Sequence, residues 1–173
     1  MSDLKILEAA IKLEEDGRKF YLKTSKEAKN VLASRLLASL ADEELKHIER
    51  ITELHDGLKE DKRWADFEKP ISKGAKAKMR LVFKPLSATE KAHLKRDPSN
   101  LEAIRLAMKK EKLSYNFYNE QAKAIDVPIA KKFYNGLKAE EEHHYDLLEE
   151  AYALLSDTAS WFVKQEGRVM EGG

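Results

Sequence analysis

Apolar residues recur in steps of three and four through four long segments of the chain. This spacing marks the buried face of a helix. Each segment covers about 25 residues, or about 38 Å of helix, and four such helices predict an all-α four-helix bundle. The predicted helices run from a Ser2 cap to about Lys29, from an Asn30 cap to near Gly57, from Pro98 with a Ser99-x-x-Glu102 capping box to about Ile125, and from the DVPIA break to about Leu155.

The apolar stripe of the second predicted helix passes through two ionisable residues. In ADEELKHIER, residues 41–50, the steps that connect Leu40 to Ile51 include Glu44 and His47. A carboxylate and an imidazole in a core are costly unless a partner compensates them. The pattern therefore indicates that another group in the core binds both side chains.

An internal repeat relates the two halves of the chain. AIKLEEDGRKFY at 10–21 aligns with AMKKEKLSYNFY at 107–118, an offset of 97 positions. The same offset carries Glu44 to Glu141 and His47 to His144. We therefore predict two similar helical hairpins. In KAEEEHHYDLL the offset selects Glu141 and His144. We expect the side chains of Glu140, Glu142 and His143 to point to solvent or to a neighbouring helix.

Each predicted helix thus places one glutamate at mid-height of its buried face, and two helices add a histidine one turn on. Four ionised carboxylates in one core repel each other and lose hydration. Two divalent cations would balance their charge, and oxygen and imidazole ligands suit iron or manganese, with zinc as a competitor. The candidate metal ligands are Glu14, Glu44, His47, Glu111, Glu141 and His144.

Four further residues lie on the same stripes, and two interpretations stay open for each pair. Tyr21 and Tyr118 either pack as core aromatics or hydrogen-bond a ligand carboxylate, as candidate catalytic residues around the metals. Gly17 and Ser114, three positions after Glu14 and Glu111, either allow close helix packing or leave room for a small reactant.

Composition narrows the class of protein. Charged residues make up 36% of the 173 positions, but the net charge is +1, which predicts no nucleic-acid or membrane partner. The chain has no cysteine, so thiolate chemistry within it is excluded. No secretory signal or membrane-spanning run is found, and we expect a cytoplasmic location.

The whole chain, 1–173, is predicted to form one domain. A basic connection at about 57–97 would carry the chain from one end of the bundle to the other, with a short helix capped at Ser87. Its charge indicates either a solvated surface or a docking patch for an acidic protein. We also predict a short C-terminal helix in the tail at about 156–173. Two interpretations are open for Trp161 and Phe162: they form part of a subunit interface, or the tail folds back on its own bundle.

The segments LEEDGRKFY, LADEELKH, KKEKLSYNFY and KAEEEHHY resemble the ferritin-like di-iron carboxylate superfamily, and within it the rubrerythrin-related proteins. The resemblance covers all four helices. It implies two iron ions per chain held by the six candidate ligands, with Glu44 and Glu141 bridging and Glu14 and Glu111 terminal. It also implies a homodimer and a non-haem oxidoreductase that reduces hydrogen peroxide or dioxygen.

The chain departs from related patterns at three points. Rubrerythrins carry a cysteine-rich rubredoxin domain, and its absence here implies an external electron-donor protein such as a rubredoxin. Rubrerythrins also carry an extra glutamate one turn after the third-helix ligand, and this chain has Ser114 at that position. Bacterioferritins place a haem methionine where this chain has Leu45, so no haem is expected. The alternative functions are an iron-binding ferroxidase for iron handling or storage, and a structural metal bundle without chemistry.

Overall fold

The computed structural model describes residues 2–60, 62–67 and 97–157. These residues form four long α-helices and a short 3₁₀ helix, Trp64–Phe67, which confirms the predicted all-α, ferritin-like bundle. The helices are α1 Asp3–Glu27, α2 Val31–Lys59, α3 Pro98–Ala124 and α4 Pro128–Ser156. The short C-terminal helix, the Ser87 cap, Trp161 and Phe162 lie outside the described residues.

The helix starts show how the sequence sets the ends. Asn30 caps α2 as predicted, because its side chain accepts hydrogen bonds from the backbone N–H groups of Leu32 and Ala33. The capping box predicted at Ser99 is wrong. Pro98 takes the first helical position, so Asp97 becomes the cap and accepts from the Ser99 N–H at 2.8 Å.

The helix α2 ends near Gly57, as predicted. The helix continues past Gly57 to Lys59, so Gly57 does not terminate it. A Cβ at position 57 would lie 2.2 Å from Phe67 Cζ. The glycine therefore makes room for the 3₁₀ helix to pack against α2.

Helices α1 and α2 form one hairpin, and α3 and α4 form the second. Two apolar clusters, each with residues from all four helices, fill the bundle on either side of its middle. One includes Leu36, Ile104 and Leu148, and the other includes Leu7, Ile51 and Trp64. Because α2 ends in the second cluster and α3 begins in the first, the connection joins opposite ends of the bundle, as predicted.

Trp64 secures the end of the bundle where α1 begins. Its indole Nε1 donates to Asp3 Oδ2 at 2.9 Å, and its ring packs on Phe133 and Tyr134. In the part of the chain that is described, no helix is long and apolar enough to span a lipid bilayer. The assignment of the whole chain to one domain stays a prediction.

Candidate metal centre

The structure brings together the four glutamates that the repeat predicts. Each helix supplies one carboxylate at mid-height, between the two apolar clusters, and all four are buried: Glu14, Glu44, Glu111 and Glu141. The helical period explains the convergence, because each glutamate continues an apolar stripe that faces the bundle axis.

Both predicted histidines point the Nδ1 atom into the same space. His47 Nδ1 lies 3.2 Å from Glu14 Oε2 and 3.1 Å from Glu141 Oε1. His144 Nδ1 lies 3.3 Å from Glu111 Oε2 and 3.7 Å from Glu141 Oε2. The two imidazole rings are nearly parallel, with 5.5 Å between their centroids.

The six side chains divide into two overlapping sets, and each residue offers its set an atom within 4.8 Å of the others. The sets share Glu44 and Glu141, which is the arrangement that two neighbouring cations with common carboxylates require. That these six residues bind metal stays a prediction. We name the sets the first position, Glu14, Glu44, His47 and Glu141, and the second position, Glu44, Glu111, Glu141 and His144.

Unpaired polar atoms show that this centre fits a metal. Five buried atoms in it have no hydrogen-bond partner: Glu44 Oε2, Glu111 Oε2, both carboxylate oxygens of Glu141, and His144 Nδ1. A buried polar atom that makes no hydrogen bond lowers stability. All five are carboxylate oxygen or imidazole nitrogen, the donors that iron, manganese and zinc accept.

The pKa values of three groups in the centre are also raised in the protein without metal. Burial raises the pKa of Glu44, and the charge of Glu14 raises it further. Burial also raises the pKa of Glu111, to about 8. Burial alone would lower the pKa of His144, but the charge of Glu111 raises it to about 10. Without metal, the core therefore retains protons to reduce its negative charge.

Both tyrosines hydrogen-bond glutamates, as one of the two interpretations predicted. The Tyr21 hydroxyl donates to Glu111, and the Tyr118 hydroxyl donates to Glu14. Burial, followed by the charge of the adjacent glutamate, raises the pKa of each phenol, so both stay protonated donors. Each hydrogen bond joins α1 to α3 and orients the carboxylate that accepts it.

Glu140 has a role that the sequence analysis missed. We expected this side chain to point to solvent or a neighbouring helix, and it reaches α2, where its Oε2 lies 2.7 Å from His47 Nε2. Arg50 donates to both of its carboxylate oxygens. Burial would raise the pKa of Glu140, but the bonds from His47 and Arg50 lower it to about 2. The available signal was the repeat, which pairs Glu140 with Glu43, another acid directly before a candidate ligand glutamate.

Among the residues that the structure describes, cavities on two sides reach the centre. The smaller one, of about 40 Å³, lies between α1 and α3, and its lining includes Gly17, Ser114, Glu44 and Glu111. A Cβ on Gly17 would meet nothing nearer than Glu44 Cδ, at 3.7 Å, so close packing does not require glycine there. The larger one, of about 290 Å³, lies between α3 and α4 and is lined by Glu111, Glu141, Tyr115, Tyr145, Lys112, Glu142 and Asp146.

Comparisons with known proteins agree with this geometry. The family profile described as Rubrerythrin matches residues 5–152, which contain α2, α3, most of α1 and α4, and all six candidate ligands. Neither the curated proteins nor the solved structures gave a significant match. The profile covers most of the 173 residues, and the chain belongs to the rubrerythrin family.

Proposed function

We propose that this protein is a non-haem di-iron oxidoreductase that reduces hydrogen peroxide with electrons from an external donor. Membership of the rubrerythrin family supports a di-iron protein, and the two overlapping ligand sets provide positions for both ions. Bound iron would supply two electrons by cycling between the ferrous and ferric states. Reduction of one peroxide to two waters consumes those electrons and two protons.

The observation that carries the proposal is the pair of shared, buried carboxylates. Glu44 and Glu141 belong to both positions, so they would keep the two ions adjacent and let them act on one small molecule. Apolar clusters on both sides exclude water from the rest of the core. The cavity beside Gly17 and Ser114 has room for a few water-sized molecules, which suits peroxide or dioxygen.

The polar side chains have separate tasks in this proposal. Tyr21 and Tyr118 donate to Glu111 and Glu14 and fix the outer carboxylates. Glu140 accepts from His47 Nε2, so Nδ1 is the nitrogen that would bind a cation. Since the 173 residues have no cysteine to ligate a rubredoxin-type iron, the electrons must come from a centre outside them.

A second function, iron oxidation for storage or handling, is favoured by the larger cavity. Its rim carries the exposed carboxylates Glu142 and Asp146, and its floor carries Glu111 and Glu141. A path with carboxylates at both ends suits a metal cation that arrives from solvent as substrate.

Stopped-flow mixing of the reduced, iron-loaded protein separates the two functions. We expect hydrogen peroxide to oxidise the iron much faster than dioxygen does, with the iron remaining bound. The zinc-loaded protein, which cannot change oxidation state, is the control and should consume no peroxide. Comparable rates with both oxidants, together with growth of a ferric core under excess iron, would instead establish the iron-handling function.

A further inference from the structure

We propose that the two metal positions are inequivalent: the first position, with Glu14 and His47, holds its ion tightly, and the second, with Glu111 and His144, exchanges its ion. The inference rests on the two-metal centre of the proposed function. It does not depend on which oxidant reacts there.

The outer nitrogen of His47 is held by a charged pair. Its Nε2 lies 2.7 Å from Glu140 Oε2, and Arg50 Nη1 donates to the other oxygen, Oε1, at 3.1 Å. Because this carboxylate holds the proton on Nε2, Nδ1 is the nitrogen that would lose its proton and bind an ion in the first position. A carboxylate on the outer nitrogen fixes the ring and makes the imidazole a stronger ligand.

The repeat breaks at this network. The offset of 97 pairs Glu140 with Glu43 and Arg50 with Leu147, and leucine cannot donate to a carboxylate. Glu43 Oε1 instead accepts from Lys46 at 2.5 Å on the same helix, and Glu43 Oε2 is buried without a partner. Among the described residues, the carboxylate held by an arginine therefore supports the histidine of the first position.

Access to the two positions also differs. In the described part of the chain, these two cavities are both lined by Glu111, a candidate ligand found only in the second position. The linings of these cavities do not include Glu14 or His47, the residues found only in the first position. An ion in the second position thus has a route to solvent through the space between α3 and α4.

Other metal sites indicate how large the difference in affinity between the two positions should be. Removing the group that orients a ligating histidine costs about 10- to 100-fold in metal affinity. We therefore expect the two dissociation constants to differ by about tenfold or more. The tighter step belongs to the first position.

Two matched ligand deletions assign the steps. Metal-free protein is titrated with Co²⁺, a divalent probe that does not require reduction, and binding is followed by isothermal titration calorimetry. We expect Glu111→Ala to keep the tight step and Glu14→Ala to keep only the weak one. Equal affinities in these two variants, which are related by the repeat, would overturn the inference and leave the metal centre standing. If the unmodified chain binds no Co²⁺, the centre and the inference both fail.

A second pair of variants tests the orienting carboxylate. Glu140→Gln should weaken the tight step about tenfold or more, whereas its repeat counterpart, Glu43→Gln, should leave that step unchanged. Arg50→Leu introduces the residue that the repeat places at Leu147, keeps Glu140 and should weaken the same binding step by a smaller factor. This variant provides the test if circular dichroism shows that Glu140→Gln does not fold. An unchanged tight step in both the Glu140→Gln and Arg50→Leu proteins would refute the proposal.

Discussion

The Tyr21 hydroxyl, on α1, donates a hydrogen bond across the bundle to Glu111 on α3. The repeat produces the reciprocal bond, in which Tyr118 on α3 donates to Glu14 on α1. Each hairpin therefore supplies the donor that orients a carboxylate of the other hairpin. The two halves of the centre are tied together even where no metal takes part.

Removal of either hydroxyl should destabilise the metal-free protein. Tyr21→Phe and Tyr118→Phe each leave a buried carboxylate oxygen without its donor, which costs about 1–3 kcal/mol of unfolding free energy. Urea denaturation in the presence of a chelator measures the loss. Tyr134→Phe is the matched control, since the Tyr134 hydroxyl is buried without a partner, and this change should be neutral or stabilising. A loss as large for Tyr134→Phe would mean that the ring contacts, and not the hydrogen bonds, stabilise the core.

The shared carboxylates predict a steep effect on metal content. Glu141 belongs to both positions, so Glu141→Ala should reduce binding of both ions. Glu142→Ala removes the adjacent, exposed carboxylate and should leave the metal content unchanged. Metal analysis after iron loading and gel filtration measures both variants. Normal content in Glu141→Ala with a loss in Glu142→Ala would place the register of α4 one residue away from the one described.

The convergence of the six candidate ligands was predictable, because it follows from two periodic features. The step of three and four places Glu44 and His47 on the buried face, and the offset of 97 then selects Glu141 and His144 from a run of acids and histidines. Neither feature requires knowledge of distances between helices. The repeat also predicted that Gly17 and Ser114 face the centre from opposite hairpins, where they line one cavity.

The contacts of Glu140 were not predictable in the same way. Its position on α4 excludes it from the apolar stripe, and only the packing of α4 against α2 brings it to His47 and Arg50. The cap at Asp97 was missed for a local reason, because Ser99 and Glu102 match a capping box whose serine lies inside the helix. Periodicity predicts which face is buried, but not which edge residues of two helices meet.

The cap of α2 gives a test of local stability. Asn30 accepts from two backbone N–H groups, so Asn30→Ala should lower the unfolding free energy by about 1 kcal/mol. Ser2 holds the same place before α1, but its side chain makes no capping bond, so Ser2→Ala should change little. Chemical denaturation of both variants measures the difference. Equal losses would show that the Asn30 bonds contribute nothing beyond helix propensity.

The small side chains that line the cavity beside the centre can be enlarged one at a time. Gly17→Ala should be tolerated and should stabilise the helix by about 0.5–1 kcal/mol, because a Cβ there makes only ordinary contact with Glu44, at 3.7 Å. Gly17→Leu would extend into a cavity of about 40 Å³ and towards Glu44. We expect the leucine variant to keep its helical circular dichroism and some bound iron, but to react slowly with peroxide. If the alanine and leucine variants react at the same rate, the reactant does not use this cavity.

Ser114→Glu tests the same cavity with a charge instead of an apolar group. Position 114 lies on α3, one turn after Glu111, and lines the cavity together with Glu44 and Glu111. A carboxylate there is the residue type that the resemblance to rubrerythrins implies at this position, and we expect it to extend towards Glu111. Because it adds a donor beside Glu111, we expect a changed visible spectrum of the diferric protein and slower exchange of one ion. Ser114→Gln, of nearly the same shape but uncharged, is the control and should alter the spectrum less. An unchanged spectrum and unchanged peroxide kinetics in Ser114→Glu would mean that the side chain at this position does not reach the metals.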